Sequence, residues 1–357
     1  MQNLEDNNQP KRKPIIPTLI TIILSSTITF LLTSYYFQSN HIISPLSDAL
    51  SSFVDIEKPL EKYSFERLSQ TQFNSSKIII ERLIEENTIY TSHLFSILVE
   101  GERVTGQLNL PNKTPPANGF PIIVMNRGFI DPEIYQTGMG TKNSAGYYAQ
   151  NGFITIAPDF LGYGESELED KDPMAARVKK PVTTITILHS LSSLNSETLI
   201  DLSNVFMWGH SNGGQISLSV LEILGNSPYW TQSIPTTLWA PVSKGFPYNI
   251  LYYTDDGDYG KALRKVLFEF ELDYDTDNYS IHKYLDWIDS PIQIHQGTND
   301  AWIPTSWSQD ITEQLKETDK DIKLFLYSGA DHNLKPNWET VVLRDIRFFN
   351  TFIDQKK

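Results

Sequence analysis

A chain of 357 residues that is 40% hydrophobic and 20% charged can bury a sizeable core, which excludes wholesale disorder and fibrous repeats. Its 43 acidic against 29 basic side chains give a net charge of -14, a sign that phosphate backbones repel, so nucleic acid is not an expected partner. The absence of cysteine excludes disulfides, thiolate metal ligands, a cysteine nucleophile and an acylated cysteine.

The first feature along the chain is a stretch from Pro14 to Ser47 without Asp, Glu, Lys or Arg. Within it, residues 15–37 are predicted to form a transmembrane helix. At a rise of 1.5 Å per residue it would span about 34 Å, enough for a hydrocarbon core of about 30 Å. The hydroxyls of its Ser and Thr residues can bond back to the helix's own carbonyls, and Tyr35 and Tyr36 suit the interface at its far end. No small-residue cleavage pattern follows it, which favours a retained anchor over a signal peptide. Lys11, Arg12 and Lys13 precede the span and the next basic residue is Lys58. The positive-inside rule then places a tail of residues 1–14 in the cytoplasm and the bulk of the chain outside it. Residues 38–64, polar with Pro45 and Pro59, read as a tether to a domain over 65–357.

In that domain short apolar runs alternate with helical stretches, the pattern of an α/β protein with a mostly parallel sheet of eight strands and helices on both faces. Strands are predicted at Phe95–Val99 and Val104–Leu110, as a hairpin, then at Pro121–Met125, Phe153–Ala157, Val205–Trp208, Thr236–Ala240, Pro291–His295 and Lys323–Tyr327. Runs such as PIIVM and FITIA suit strands buried on both faces. Helices are predicted at Ser144–Gln150, Pro181–Leu194, Gly214–Leu224, Ser306–Glu317 and Asn337–Asp354, the last with Val341, Val342, Ile346 and Phe349 on one face. The interval of about 50 residues over 242–290, rich in Tyr and acidic residues, breaks the alternation and reads as a cap over the strand ends.

Chemistry concentrates after the strands. VFMWGHSNGG runs an apolar strand into Gly209-His210-Ser211-Asn212-Gly213 and then an apolar helix. That is the setting in which a tight strand-to-helix turn exposes a serine hydroxyl; the plainer reading of Ser211 is a helix cap. A serine needs a base to take its proton, and the base needs a partner to hold its tautomer. In the chain order Ser, acid, His, the candidates are Asp300 in HQGTNDAWIP and His332 in YSGADHNL. Asp300 also reads as a helix cap. Asp331 is the rival acid, but neighbours in an extended turn point apart. Of the other histidines, His210 is locked in the turn, His295 sits in a strand, His282 is in the cap, and His41, His93 and His189 precede the serine. An oxyanion needs two N–H donors. Asn212 supplies one, and the loop IIVMNRGFIDPEIY supplies the other at Phe129, where Gly128 lets the backbone turn. Arg127 in that loop reads equally as a surface or structural cation.

Together these residues resemble the α/β-hydrolase superfamily, and within it the catalytic domains of prolyl oligopeptidase-like serine peptidases. NRGF stands where such proteins carry a His-Gly oxyanion segment, with Arg127 in place of the His. PDFLGYGESE, over Asp159 to Ser166, resembles their glycine-rich loop after a strand, and GHSNGG, HQGTNDAWIP and YSGADHNL resemble the serine, acid and histidine loops. The resemblance covers about Phe95 to Asp354 and implies the α/β-hydrolase fold and a serine hydrolase. Two departures weaken the peptidase reading: residues 38–95 are too few for a β-propeller, and no clear glutamate pair is present to grip a peptide N-terminus.

The expectation is a membrane-anchored serine hydrolase acting on a small ester or peptide through Ser211, His332 and Asp300, with Asn212 and Phe129 as oxyanion donors. A peptidase is preferred slightly over a carboxylesterase, and a non-catalytic binding module of the same fold is the other reading. No cofactor or metal is expected. The acidic run from Asp273 lacks the glycine of a calcium loop at its sixth position and has Tyr284 at its twelfth. It reads as a solvated face that repels anionic substrates. Oligomeric state is not legible.

Overall fold

The apolar runs form strands because their side chains find a helix layer on each face of the sheet. In the computed structural model, which describes residues 25–29, 58–196, 199–253 and 258–354, nine strands make one sheet. They are β1 (Ile79–Glu86), β2 (Tyr90–Val99), β3 (Glu102–Pro111), β4 (Phe120–Asn126), β5 (Ile154–Pro158), β6 (Ile200–His210), β7 (Thr236–Trp239), β8 (Ile292–Gly297) and β9 (Ile322–Tyr327), in the order β1-β2-β3-β5-β4-β6-β7-β8-β9. From β5 to β9 all neighbours are parallel, while β1, β2 and β3 pair antiparallel.

The ninth strand corrects the expected count of eight. β1 has the sequence IIERLIEE, whose paired apolar residues break strict alternation. It is an edge strand, largely exposed, with register shifts between Ile80 and Arg82 and between Leu83 and Glu85. A bulged edge with one solvated face leaves no period-2 signal.

Helices α1 (Lys142–Gln150), α2 (Pro173–Val178), α3 (Lys180–Ser190), α4 (Asn212–Gly225), α5 (Lys261–Glu271), α6 (Thr305–Glu317) and α7 (Trp338–Asp354) surround the sheet. Alternate residues of one strand serve opposite layers. Ile122, Val124, Val205 and Met207 pack with Ile185 of α3, Leu218 of α4 and Ile311 of α6. Ile123, Met125, Phe206 and Trp208 pack with Tyr148 of α1 and Val342 and Phe349 of α7. Each such side chain contributes about 1.5–3 kcal/mol on full burial, which is why the middles of β4 and β6 are apolar on both faces.

Beneath the second layer, Asp345 of α7 is fully buried. It accepts hydrogen bonds from Tyr148, Thr237, Trp239 and Gln293, with His295 Nε2 2.9 Å from its Oδ1. This ties α1, α7, β7 and β8 together, and it gives His295 a structural place.

Met1–Lys58 and Pro59–Lys357 are separate compact units. Leu60 and Tyr63 are buried in the core of the second, so that unit takes in residues 59–64 of the expected tether as well as the domain expected from Phe65. The 1–14 tail, the 15–37 span apart from the helical turn at 25–29, and the 38–57 part of the tether lie outside the described residues. Among the described residues no helix is long and apolar enough to cross a membrane.

The order β5-β4-β6 places β4 between strands on which the chain departs in opposite directions. In open α/β sheets a crevice forms beyond the carboxyl ends at such a switch point. The loops after β4, β6, β8 and β9 carry Gly128, Ser211, Asp300 and His332.

Candidate active site

β6 passes into α4 through a single residue. Ser211 has φ 55° and ψ -120°, a left-handed conformation that costs a serine on the order of 1–3 kcal/mol. The surroundings hold it there. Its N–H donates to the carbonyl of Trp239 at 2.9 Å, and its own carbonyl accepts from the N–H groups of Gly214 and Val242, each at 2.9 Å. Its side chain caps no helix N–H, which removes the plainer reading of this residue. The turn is tight because α4 lies against β4. A Cβ on Gly213 would sit 1.9 Å from the carbonyl oxygen of Asn126.

Asp300 follows β8, and His332 lies in the turn after β9. His332 Nδ1 is 2.8 Å from Asp300 Oδ2, and the Asp300 side chain is completely buried. The same oxygen accepts from Gln296 Nε2 at 3.1 Å, while Oδ1 accepts from the N–H groups of Trp302 (2.8 Å) and Ile303 (2.9 Å). Burial is the largest influence on this carboxyl and pushes its pKa up. The hydrogen bonds from His332, Ile303 and Trp302 together outweigh burial and hold it below the ordinary value. An ionised Asp300 accepts a hydrogen bond from His332 Nδ1–H and so leaves Nε2 as the basic nitrogen. The rival, Asp331, is spent on its own turn, its Oδ1 accepting from the N–H groups of Asn333 and Lys335.

His210 supports this arrangement without competing in it. Its Nε2–H donates to the carbonyl of His332 at 3.0 Å, and the two rings lie 4.7 Å apart. Burial, then the neighbouring His332, pushes its pKa down to about 4, so it stays neutral at physiological pH.

After β4 comes Arg127, buried at 5% exposure. Its guanidinium reaches the carbonyl of Gly128 at 2.9 Å and that of Asp159 at 2.7 Å, and lies 3.9 Å from the Tyr163 ring centroid and 4.4 Å from that of Tyr135. Arg127 is therefore an internal structural cation and not a surface one. Asp159, fully buried, accepts from Thr105, Tyr135 and Thr137 and fixes the far side of this cluster. A Cβ on Gly128 would stand 3.0 Å from the Ser211 Cβ, so the loop passes directly over the serine.

Ser211, His332, Asn212, Gly128 and Phe129 all border one cavity of about 1030 Å³. Val242, Phe246, Asn249, Ile250 and Tyr253, from the segment linking β7 and β8, form part of its wall, with Leu263 of α5. The acidic run 273–278 does not reach the cavity, whereas Glu169, Arg177 and Lys180 do. The polar character that sequence reasoning attached to the acidic run is thus replaced by a site carrying two cations and one carboxylate. Arg177, Lys180, Gln296 and Asn249 were not legible as site residues, because no motif spacing joins them to Ser211.

Residues 140–356 match the Prolyl oligopeptidase family of peptidases. The chain belongs to that family. It is therefore a serine hydrolase, and the matched segment contains Ser211, Asp300 and His332. Solved structures share the fold of this prolyl oligopeptidase-family chain at low identity. A puromycin-hydrolyzing peptidase of Mycobacterium tuberculosis is 16% identical with a TM-score of 0.57, over 75% of this chain and 40% of that one. A putative dipeptidyl aminopeptidase IV of Bacteroides ovatus is 15% identical with a TM-score of 0.55, over 75% and 36%. An acetyl xylan esterase of Paenibacillus sp. R4 is 15% identical with a TM-score of 0.59, over 82% and 95%. This chain thus spans well under half the length of those two peptidases and nearly all of the esterase. No curated protein sequence matches it.

Proposed function

We propose that this serine hydrolase cleaves ester or peptide bonds through Ser211, His332 and Asp300. The observation that carries the reading is the 2.8 Å contact of His332 Nδ1 with buried Asp300, on the same cavity wall as a serine in left-handed backbone. His332 Nε2 takes the proton of the Ser211 hydroxyl as Oγ attacks the carbonyl carbon. Collapse of the tetrahedral intermediate breaks the bond to the leaving amine or alcohol, which receives that proton. Water, deprotonated by His332, then cleaves the acyl-serine ester and returns the enzyme.

The intermediate's oxyanion lies between the N–H groups of Asn212 and Phe129. The first opens helix α4, whose dipole favours negative charge. The second belongs to the peptide whose carbonyl Arg127 holds. Arg127 is thus accounted for within a catalytic arrangement.

Family membership supports a peptidase over a carboxylesterase. The esterase of similar fold, covered almost end to end, keeps ester substrates in the test. Labelling by a fluorophosphonate probe, abolished in Ser211→Ala and strongly reduced in His332→Ala, is the expected result. A folded parent protein that does not label overturns the assignment.

The uncharged stretch of residues 15–37, preceded by three basic residues, supports a single-pass anchor with the hydrolase domain outside the cytoplasm. Resistance to carbonate extraction, lost on deleting residues 1–37, together with a C-terminal topology reporter, tests both parts.

A further inference from the structure

The cavity contains more unmet polar capacity than hydrolysis of a neutral ester requires. Arg177 closes helix α2 and borders the cavity, and among the described residues its guanidinium has no hydrogen bond, ion pair or ring contact. Lys180, one turn on, also borders the cavity, and its ammonium lies 3.3 Å from Glu169. One carboxylate therefore faces two cations, and the surplus charge sits on Arg177. Burial brings its guanidinium down to about 10, with Glu169 drawing it back up, so it remains charged at neutral pH. A half-buried guanidinium without a partner is left to be satisfied by whatever enters the cavity, and its planar fork matches a carboxylate.

A second, independent observation lies on the cavity wall formed by the segment between β7 and β8. Asn249 is only 2% exposed and borders the cavity, yet neither its amide nitrogen nor its carbonyl oxygen has a hydrogen-bond partner. Buried polar groups are paired in almost all native structures, so an unpaired donor and acceptor on a cavity wall point to a ligand. A donor beside an acceptor is what a substrate amide meets with its own carbonyl and N–H. A plain alkyl ester cannot satisfy both.

We propose that the cavity takes an acid-bearing peptide, its carboxylate seated on Arg177 beside Lys180 and an amide of its backbone paired with Asn249. This rests on Ser211 being the nucleophile. The carboxylate can be a free C-terminus or an acidic side chain, and either one neutralises the surplus cation. The cavity's charge thus selects in the direction opposite to the acidic surface run, which lies away from it.

The test uses the purified full chain and reads a ratio, kcat/KM for a substrate bearing the carboxylate over kcat/KM for the same substrate with that group as its carboxamide. One arm varies the C-terminus of a short fluorogenic peptide, a second varies an acidic side chain within it, and a third compares the methylumbelliferyl monoester of adipic acid with its adipamide analogue. The expected ratio is about tenfold or more in at least one peptide arm, falling to near unity in Arg177→Gln. Arg177→Glu takes the ratio below unity, so that the carboxamide becomes the preferred substrate. Because both rates come from one protein sample, partial misfolding cancels in the ratio. For Asn249→Leu, the peptides lose more than the adipate monoester. A ratio at or below unity in the parent, a ratio that survives Arg177→Gln, or a preference confined to the adipate arm overturns the proposal. Absence of fluorophosphonate labelling would instead overturn the nucleophile assignment beneath it.

Discussion

The guanidinium of Arg127 holds the carbonyl of Gly128 at 2.9 Å. The Gly128–Phe129 bond is not among the cis peptides of the structure, and in a trans peptide the carbonyl and the following N–H point to opposite sides. Anchoring one therefore aims the other, so under the proposed mechanism Arg127 acts as a positioning residue for the Phe129 N–H and does not touch the substrate. Replacing Arg127 with Gln removes that anchor. Since a lost oxyanion donor costs about 10²–10³ in kcat, a misaimed one should cost about 10–100-fold, with KM changed by less than about threefold. Lys in its place should not rescue activity, because an ammonium cannot bond two carbonyls in the plane of a fork. Steady-state kinetics on a neutral ester, with a thermal melt for each variant, provide the check.

Gly128→Ala tests the same loop from the other side. The added methyl meets the Ser211 Cβ at 3.0 Å, so the loop or the serine must shift by a few tenths of an ångström. Fluorophosphonate labelling should slow by about 100-fold, the scale on which small misplacements act in active sites, while the melting temperature stays within a few degrees.

Asp300→Asn keeps the shape of the acid and loses its charge. An amide can donate to His332 Nδ1 and so move the ring proton to Nε2, the nitrogen required as base. A loss on the order of 10⁴ in kcat is expected. Higher pH should not restore it, because the fault is a tautomer and not a protonation.

Glu222 lies within α4, fully buried, with both carboxyl oxygens unpaired. Burial, reinforced by Asp286, raises its pKa well above the ordinary value. The folded form keeps this proton where the unfolded chain has released it, so stability is fullest below the unfolded pKa, near 4.5, and falls as pH rises towards the folded value. Glu222→Gln should remove that slope, up to about 1.4 kcal/mol per pH unit, and be the more stable protein at pH 8. Denaturation midpoints for both proteins from pH 5 to 8 would test it, and parallel curves would refute it.

Asp345→Leu should cost about 4 kcal/mol or more. It strands the donors of Tyr148, Thr237, Trp239 and Gln293 in the core, at about 1–3 kcal/mol each before relaxation. Urea unfolding measures the cost.

Local chemistry determined a good deal by itself. The apolar runs ending at Met125, Trp208 and His295 announced strands buried on both faces, because period-2 and continuous patterns depend only on which neighbours cover a strand. Ser211 was legible because its turn needs glycine within two residues on either side, a constraint written in consecutive positions. Asp300 and His332 were legible because each follows a strand whose end is visible in the chain. β1 was not, since an edge strand with a solvated face and two register shifts has no periodic signature.

Tertiary structure alone decided the rest. It separated Asp300 from Asp331 by giving the latter's oxygen to the N–H groups of Asn333 and Lys335. It turned Arg127 inward onto Gly128, Asp159, Tyr135 and Tyr163. It kept the acidic run 273–278 off the cavity and placed Arg177, Lys180 and Asn249 on it. Motifs survive in sequence where one backbone turn dictates several adjacent residues. Cavity-lining groups are single positions gathered from α2, α3 and the segment between β7 and β8, so their juxtaposition exists only once the chain has folded.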